Sequence, residues 1–188
     1  MARSLLIVGA GTYALLAYEI ACDMGQFECI AFVDDQKEKA PTGEMIIGKT
    51  SDLYALSAMY TDVIVAIGNP EVRINLLNQI KDSTNLHIAS LISPKAYVAP
   101  SATIAEGTVV EPFAVVHTRC AIERGCLISA GAVVNHESIC EEGVHVDCNA
   151  TIPGYKTVPA KTKVSCGTVF EDSWQNGREP CIINFLSD

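Results

Sequence analysis

Apolar residues recur at every sixth position from residue 92 to residue 170, without a change of phase. The series is Ile92, Val98, Ile104, Val110, Val116, Ile122, Ile128, Val134, Cys140, Val146, Ile152, Val158, Val164 and Phe170. A small residue usually stands two positions before each of these, and glycine often stands three positions after. An amphipathic helix has a period of about 3.6 residues and a strand a period of about 2, so neither produces this pattern. It predicts a parallel β-helix of hexapeptide repeats, with β-branched side chains inside and glycines at the turns.

The first half of the chain alternates between strand-like and helix-like patterns. The predicted strands are 5–8, 28–33, 62–67 and 86–92, with a weaker one at 45–47. The predicted helices are one that opens within residues 9–14 and runs to about residue 24, one that Thr50 or Ser51 caps and that runs through residue 60, and one at 71–81. Gly25 is expected to end the first helix and Pro70 to begin the last. This order predicts a small parallel sheet covered by helices. The predicted organisation is therefore an α/β Rossmann-like domain over residues 1–91, a left-handed β-helix over 92–170 and a tail over 171–188.

Composition limits the classes of partner. The 188 residues are 49% hydrophobic and 19% charged, which is typical of a globular protein. A net charge of −9 without a basic cluster argues against nucleic acid and against an anionic membrane surface. Gly9 and Gly11 interrupt the apolar run at 5–17, which otherwise resembles a signal peptide, and no segment approaches the ~20 apolar residues of a membrane span. The eight cysteines are scattered, which favours free thiols in the cytoplasm.

A glycine-rich turn follows the first predicted strand. Gly9, Gly11 and Ala14 fit the dinucleotide-binding fingerprint, and Asp34 and Asp35 end the second strand, where an acid meets a ribose hydroxyl. Glycines let the backbone approach a phosphate, and the helix N-terminus favours an anion. The alternative is a tight turn that binds nothing, and the domain is short for a full dinucleotide.

Histidines in the repeats are the candidates for chemistry. His136 falls two positions after Val134, where a side chain points outward, and Gly154 stacks 18 positions further on. Imidazole has a pKa suited to removing a proton from an acceptor amine or hydroxyl. Glu137 either holds the tautomer of His136 or pairs with Arg119, which is stacked 18 residues away. The alternative for His136 is a solvated turn residue.

Metal binding by the repeat histidines is not expected. A zinc site needs two or three histidines converging on one point. His117 and His136 are one coil plus one residue apart, so their side chains diverge along the strand.

The two predicted parts together resemble the sialic acid O-acetyltransferase and UDP-4-amino-sugar N-acetyltransferase family, over about residues 3–170. The resemblance implies acetyl-CoA as co-substrate, a nucleotide-linked amino sugar or sugar hydroxyl as acceptor, and a homotrimer with its active site between adjacent β-helices. The implied residues are His136 and Glu137 for catalysis, His145 and Gly154 for acetyl-CoA, and Gly9, Gly11, Thr12, Tyr13, Asp34, Asp35, Gly68 and Asn69 for the nucleotide sugar.

The chain departs from that family at three places. Thr12 and Tyr13 stand where the family usually has glycine and histidine, and Ser129 stands where it often has asparagine. The β-helix is also one or two coils shorter, and those coils normally help to hold coenzyme A. Two rival functions follow: a non-catalytic sugar-nucleotide-binding or scaffold protein, and a nicotinamide-dependent enzyme, which leaves the β-helix without a role.

Overall fold

The structure, a computed structural model, describes residues 3–171. Its first part is a parallel sheet in the order β2-β1-β3-β4. The strands are β1 (Ser4–Val8), β2 (Cys29–Val33), β3 (Asp62–Val65) and β4 (His87–Ile88). The helices are α1 (Thr12–Met24), α2 (Leu53–Leu56), which a 3-10 turn at Thr50–Asp52 precedes, and α3 (Pro70–Ser83).

Three elements differ from the sequence prediction. The helix expected at 50–60 is one 3-10 turn and one α-helical turn, and the Ser57 hydroxyl bonds the Tyr54 carbonyl where it ends. Residues 45–47 form only an isolated bridge. The strand expected at 86–92 is split, because the Ala89 N–H bonds β3 whereas the Leu91 N–H bonds the Thr108 carbonyl of the β-helix. The predicted tail lies outside the described residues, apart from its first residue.

The second part is a left-handed β-helix, so the predicted fold class is confirmed. Residues 18 apart pair in parallel, as in Leu127 with His145. The three faces are the sheets β5-β8-β11-β14-β17, β6-β9-β12-β15 and β7-β10-β13-β16. Each strand has two residues: Leu91–Ile92, Tyr97–Val98, Thr103–Ile104, Val109–Val110, Val115–Val116, Ala121–Ile122, Leu127–Ile128, Val133–Val134, Ile139–Cys140, His145–Val146, Thr151–Ile152, Thr157–Val158 and Lys163–Val164. The second residue of each points inward, which accounts for the apolar period of six.

One corner of the β-helix is built to receive α3. Gly107, Gly125 and Gly143 stack there, all with positive φ. A Cβ on Gly125 would lie 2.7 Å from Cδ1 of Ile74, and one on Gly107 would lie 3.0 Å from Cδ1 of Leu77. Glycine is therefore required twice at this corner, by its backbone angle and by the close approach of α3.

The two parts share a continuous interface. On its outer face the first sheet of the β-helix presents Leu91, Val109 and Leu127, which are fully buried against Ala14 and Ala17 of α1. The next outward residue on that face is His145, so the apolar contact with α1 gives way to polar side chains at this coil.

Candidate active site

A cavity of about 380 Å³ lies at the carboxyl edge of the parallel sheet. Gly9, Gly11, Asp34 and Asp35 line it, together with Lys37 and neighbouring apolar residues. Since α1 begins directly after Gly11, its N-terminus is at the same edge. The structure thus brings together four of the eight residues predicted to bind a nucleotide sugar.

The two glycines of the turn are there for different reasons. Gly9 has φ +111°, and a Cβ there would lie 3.0 Å from the Ala66 carbonyl oxygen, so the fold itself needs glycine. Gly11 has φ −84°, and a Cβ there would meet nothing within 4 Å. Nothing in the described chain requires glycine at this position, which favours close approach of a ligand to the backbone.

The acids of the cavity are held by donors in the surrounding loop. Burial works to raise the pKa of Asp34, but backbone N–H groups, including those of Gln36 and Lys37 at 2.9 Å, outweigh it and lower the pKa. Asp35 accepts from both the N–H and the hydroxyl of Thr50 at 2.9 Å. Both carboxylates are thus fixed in position as acceptors.

Four other predicted sugar-binding residues do not line this cavity. Thr12 is exposed at the start of α1, and the Tyr13 side chain packs at the junction with the β-helix. The Asn69 side chain caps α3 by accepting from the Val72 N–H at 3.1 Å. The Gly68 carbonyl accepts from a buried arginine of α3. In each case a helix start or the interface between the two parts determines the position.

His136 lies at a corner of the β-helix, directly over Gly154. A Cβ on Gly154 would lie 2.8 Å from Cε1 of His136, so only glycine leaves the imidazole in place. Tyr155 adds an edge contact to the ring, with 5.0 Å between centroids. Among residues 3–171, no acceptor receives the Gly154 N–H. The corner therefore presents a partly exposed imidazole beside an unused backbone donor.

Glu137 has the second of its two predicted partners. Its carboxylate lies 2.7 Å from the Arg119 guanidinium, and no hydrogen bond joins it to His136. The backbone of Glu137 has φ +59°, in the left-handed region. In this structure the contact that would hold the His136 tautomer is not formed.

His145 lies on the sheet next to α1, in a polar setting. Its Nε2 is 3.1 Å from the Ser129 hydroxyl and 3.9 Å from Asp147, which also pairs with Lys163. Burial lowers the pKa of His145, and the Asp147 charge opposes that shift. His145 is therefore expected to be neutral near pH 7.

His136 and His145 occupy different parts of the coil, one at a corner and one on a flat sheet, and no contact joins them.

Two buried residues near these sites were not predicted from the sequence. Glu111 is a buried acid among the repeats, and its position in the hexad could have indicated it from the sequence alone. Arg73 in α3 carried no signal, since an arginine in a helix is normally exposed.

Within residues 3–171, no group of three or more His, Cys, Asp or Glu side chains is placed to hold a metal ion. In that same range no helix is long and apolar enough to cross a membrane. The seven cysteines in that range are all free thiols.

Known proteins are similar to both parts of the chain. The PglD N-terminal domain family matches residues 4–80. The acetyltransferase domain of PglB from Neisseria gonorrhoeae FA1090 is 29% identical, covers 89% of this chain and 82% of its own, and gives a TM-score of 0.85. Its complex with acetyl coenzyme A gives 29% identity, 90% and 82% coverage, and a TM-score of 0.85.

PerB from Caulobacter crescentus, in complex with CoA and GDP-perosamine, has the same fold. It is 22% identical, with a TM-score of 0.77 and coverage of 89% of this chain and 88% of its own. The resemblance seen in the sequence is thus confirmed: the chain is an acyltransferase of the hexapeptide-repeat kind, related to sugar N-acetyltransferases.

Proposed function

We propose that the protein transfers an acetyl group from acetyl-CoA to the amine of a nucleotide-linked amino sugar. The observation that carries this proposal is the partly exposed imidazole of His136 over Gly154, in a chain similar to an acetyltransferase domain that binds acetyl-CoA. His136 takes the proton of the acceptor amine as the amine attacks the thioester carbonyl. The Gly154 N–H, which is not otherwise engaged in the described chain, stabilises the oxyanion of the tetrahedral intermediate.

The cavity at the glycine turn holds the nucleotide part of the acceptor. Asp34 and Asp35 accept from ribose or base donors, while the N-terminus of α1 and the backbone at Gly11 face the phosphates. His145 contacts acetyl-CoA near the acetyl group. In support, GDP-perosamine, the ligand of PerB, is a nucleotide-linked sugar.

The functional unit is a homotrimer, and acetyl-CoA lies between adjacent β-helices. His136 and His145 make no contact within one described chain, which is consistent with a site that a neighbouring copy completes. Exposed apolar side chains at the corners, such as Phe113 and Tyr155, provide surface for this association.

Mass-spectrometric detection of acetylated product tests the proposal. The purified protein is incubated with acetyl-CoA and a panel of UDP-, GDP- and dTDP-amino sugars, in parallel with His136→Ala and with His87→Ala as control. His87 pairs with Asp62 far from the β-helix corner. We expect one sugar to gain an acetyl group, and His136→Ala to lose about 10²- to 10⁴-fold in rate while the control does not.

Gly154→Ala separates the geometry of the site from folding. The three atoms nearest to the new Cβ all belong to the His136 ring, so we expect wild-type thermal stability with a large loss of rate. If no sugar is acetylated while one still raises the melting temperature, the non-catalytic binding protein becomes the better description.

A further inference from the structure

Glu111 is a buried acid beside the His145 site, with donors on several sides. It is 4% exposed, and its Oε2 accepts from the Ala130 N–H at 3.0 Å. Burial raises the pKa of Glu111, while the Ala130 N–H and the hydroxyls of Ser129 and Tyr13 oppose the rise. The Tyr13 hydroxyl is itself buried and has no hydrogen bond in the described structure, so Glu111 is its natural acceptor. Three groups that can donate a proton therefore face this carboxyl, while the charge of Asp147 adds to the rise in its pKa.

Ser129 stands one coil from Glu111, because Ile128 pairs with Val110, and its hydroxyl contacts His145. The hydroxyl has one proton, and it lies 3.1 Å from Nε2 of His145. If that proton is donated to Glu111, the oxygen of Ser129 is left as an acceptor, and Nε2 must carry a hydrogen. Asp147, 3.9 Å from the same nitrogen, favours the same arrangement.

We propose that Glu111 is a positioning residue that acts through Ser129 to hold His145 neutral with its proton on Nε2. Nδ1 of His145 is then an acceptor and does not donate. This inference adds detail to the proposed function, and its consequence for acetyl-CoA binding rests on that function. His145 recognises a donor on the acyl carrier, and the cysteamine amide N–H of coenzyme A is the donor nearest to the thioester. The thioester oxygen is left to the Gly154 N–H.

Glu111→Gln is a sharp test because the Ala130 N–H fixes how the new amide sits. The amide oxygen stays on that donor, and the NH₂ group faces Ser129 and Tyr13. The NH₂ group donates to the Ser129 oxygen, whose proton then turns to His145 Nε2. The tautomer of His145 is expected to change from Nε2–H to Nδ1–H.

The repeats provide a matched control. Glu141 stands at the corresponding hexad position of another face, and its Oε2 accepts from the N–H of Ala160 at 2.9 Å, nineteen residues on, as Glu111 does from Ala130. It is half-buried, and no hydrogen bond or ion pair in the described structure joins it to Ser129 or His145. Glu141→Gln therefore reproduces the chemical change without the proposed effect.

The experiment records ¹H–¹⁵N correlation spectra of the imidazoles in ¹⁵N-labelled full-length protein, with His145→Gln to assign the signal. Protonated and unprotonated ring nitrogens have well-separated ¹⁵N shifts. We expect Nε2–H in the wild type and in Glu141→Gln, and Nδ1–H in Glu111→Gln. Glu111→Gln should also raise KM for acetyl-CoA about tenfold and leave KM for the sugar unchanged.

An Nδ1–H wild type, or an unchanged tautomer in Glu111→Gln, overturns the inference. If Glu111→Gln does not fold, Ser129→Ala decides instead, because losing the hydroxyl should release His145 to a mixture of tautomers. The spectra need no activity. A wild type without acetyl transfer therefore refutes the proposed function while the tautomer still reports on Glu111.

Discussion

Arg73→Met is predicted to destabilise the protein strongly because Arg73 joins the two parts of the chain. Its side chain is fully buried. The guanidinium donates to the carbonyls of Gly125 at 2.7 Å and Gly143 at 2.9 Å in the β-helix. It also donates to those of Ile67 at 2.7 Å and Gly68 at 2.9 Å, after β3. All its partners are backbone oxygens, so a positive charge is held without a carboxylate in the described structure.

The magnitude follows from what methionine leaves behind. A hydrogen bond from a charged donor contributes ~1.5–3 kcal/mol, so four give a gross value of ~6–12 kcal/mol. Desolvation, which lowers the pKa of Arg73, offsets much of this gain. Methionine matches the aliphatic stem of arginine but leaves four buried carbonyls without a hydrogen-bond donor. We expect the free energy of unfolding to fall by ~3–5 kcal/mol and the melting temperature by about 10 °C.

Urea unfolding followed by circular dichroism, together with a thermal scan, measures the effect. Arg124→Met is the matched control. Arg124 lies at the same corner and also contacts α3, through Asn78, but it pairs with the carboxylates of Glu106 and Glu142 at the rim. We expect it to cost about 1 kcal/mol. A melting temperature of Arg73→Met within about 2 °C of wild type, or an equal loss in Arg124→Met, would refute the reasoning.

Three further predictions concern single positions. Gly125→Ala should lower the free energy of unfolding in urea by ~3 kcal/mol, because its Cβ would meet Ile74 at 2.7 Å and φ is +65°. Gly167→Ala is the control: φ is +68° but the space is open, so the loss should be only ~1 kcal/mol. Gly11→Ala should leave the melting temperature unchanged but raise KM for the nucleotide sugar about tenfold, and an unchanged KM would contradict a phosphate contact there. Burial works to raise the pKa of Asp62, but hydrogen-bond donors, chiefly Arg3, outweigh burial and lower the pKa. The contribution of Asp62 to stability is therefore present above about pH 4 and is lost as the pH falls through the folded pKa. Asp62→Asn should therefore be less stable at neutral pH yet lose less stability on acidification to about pH 3, as urea midpoints across pH would show.

The β-helix was predictable because its information is local and repeated. Each hexad places one apolar residue inside, so the register of Leu127 with His145 follows from counting by 18. The cavity was half predictable for the same reason, since a strand, a turn and a helix are contiguous. Arg73 was not predictable, because its partners Gly125 and Gly143 lie 52 and 70 residues away. The fingerprint placed Tyr13 at the cavity, but α1 buries that side chain in the interface.

The position of Arg73 also constrains how the proposed reaction is organised. Ile67 lines the cavity, and its carbonyl shares the guanidinium with the corner carbonyls of the β-helix. A hinge between cavity and β-helix would have to break these buried bonds and the contact of α3 with Gly125. Such an opening is costly, so the two parts are expected to move as one body. Domain closure is therefore not expected to bring the cavity and His136 together. The distance between them must instead be spanned by the nucleotide-linked sugar itself, within one chain or between neighbouring copies.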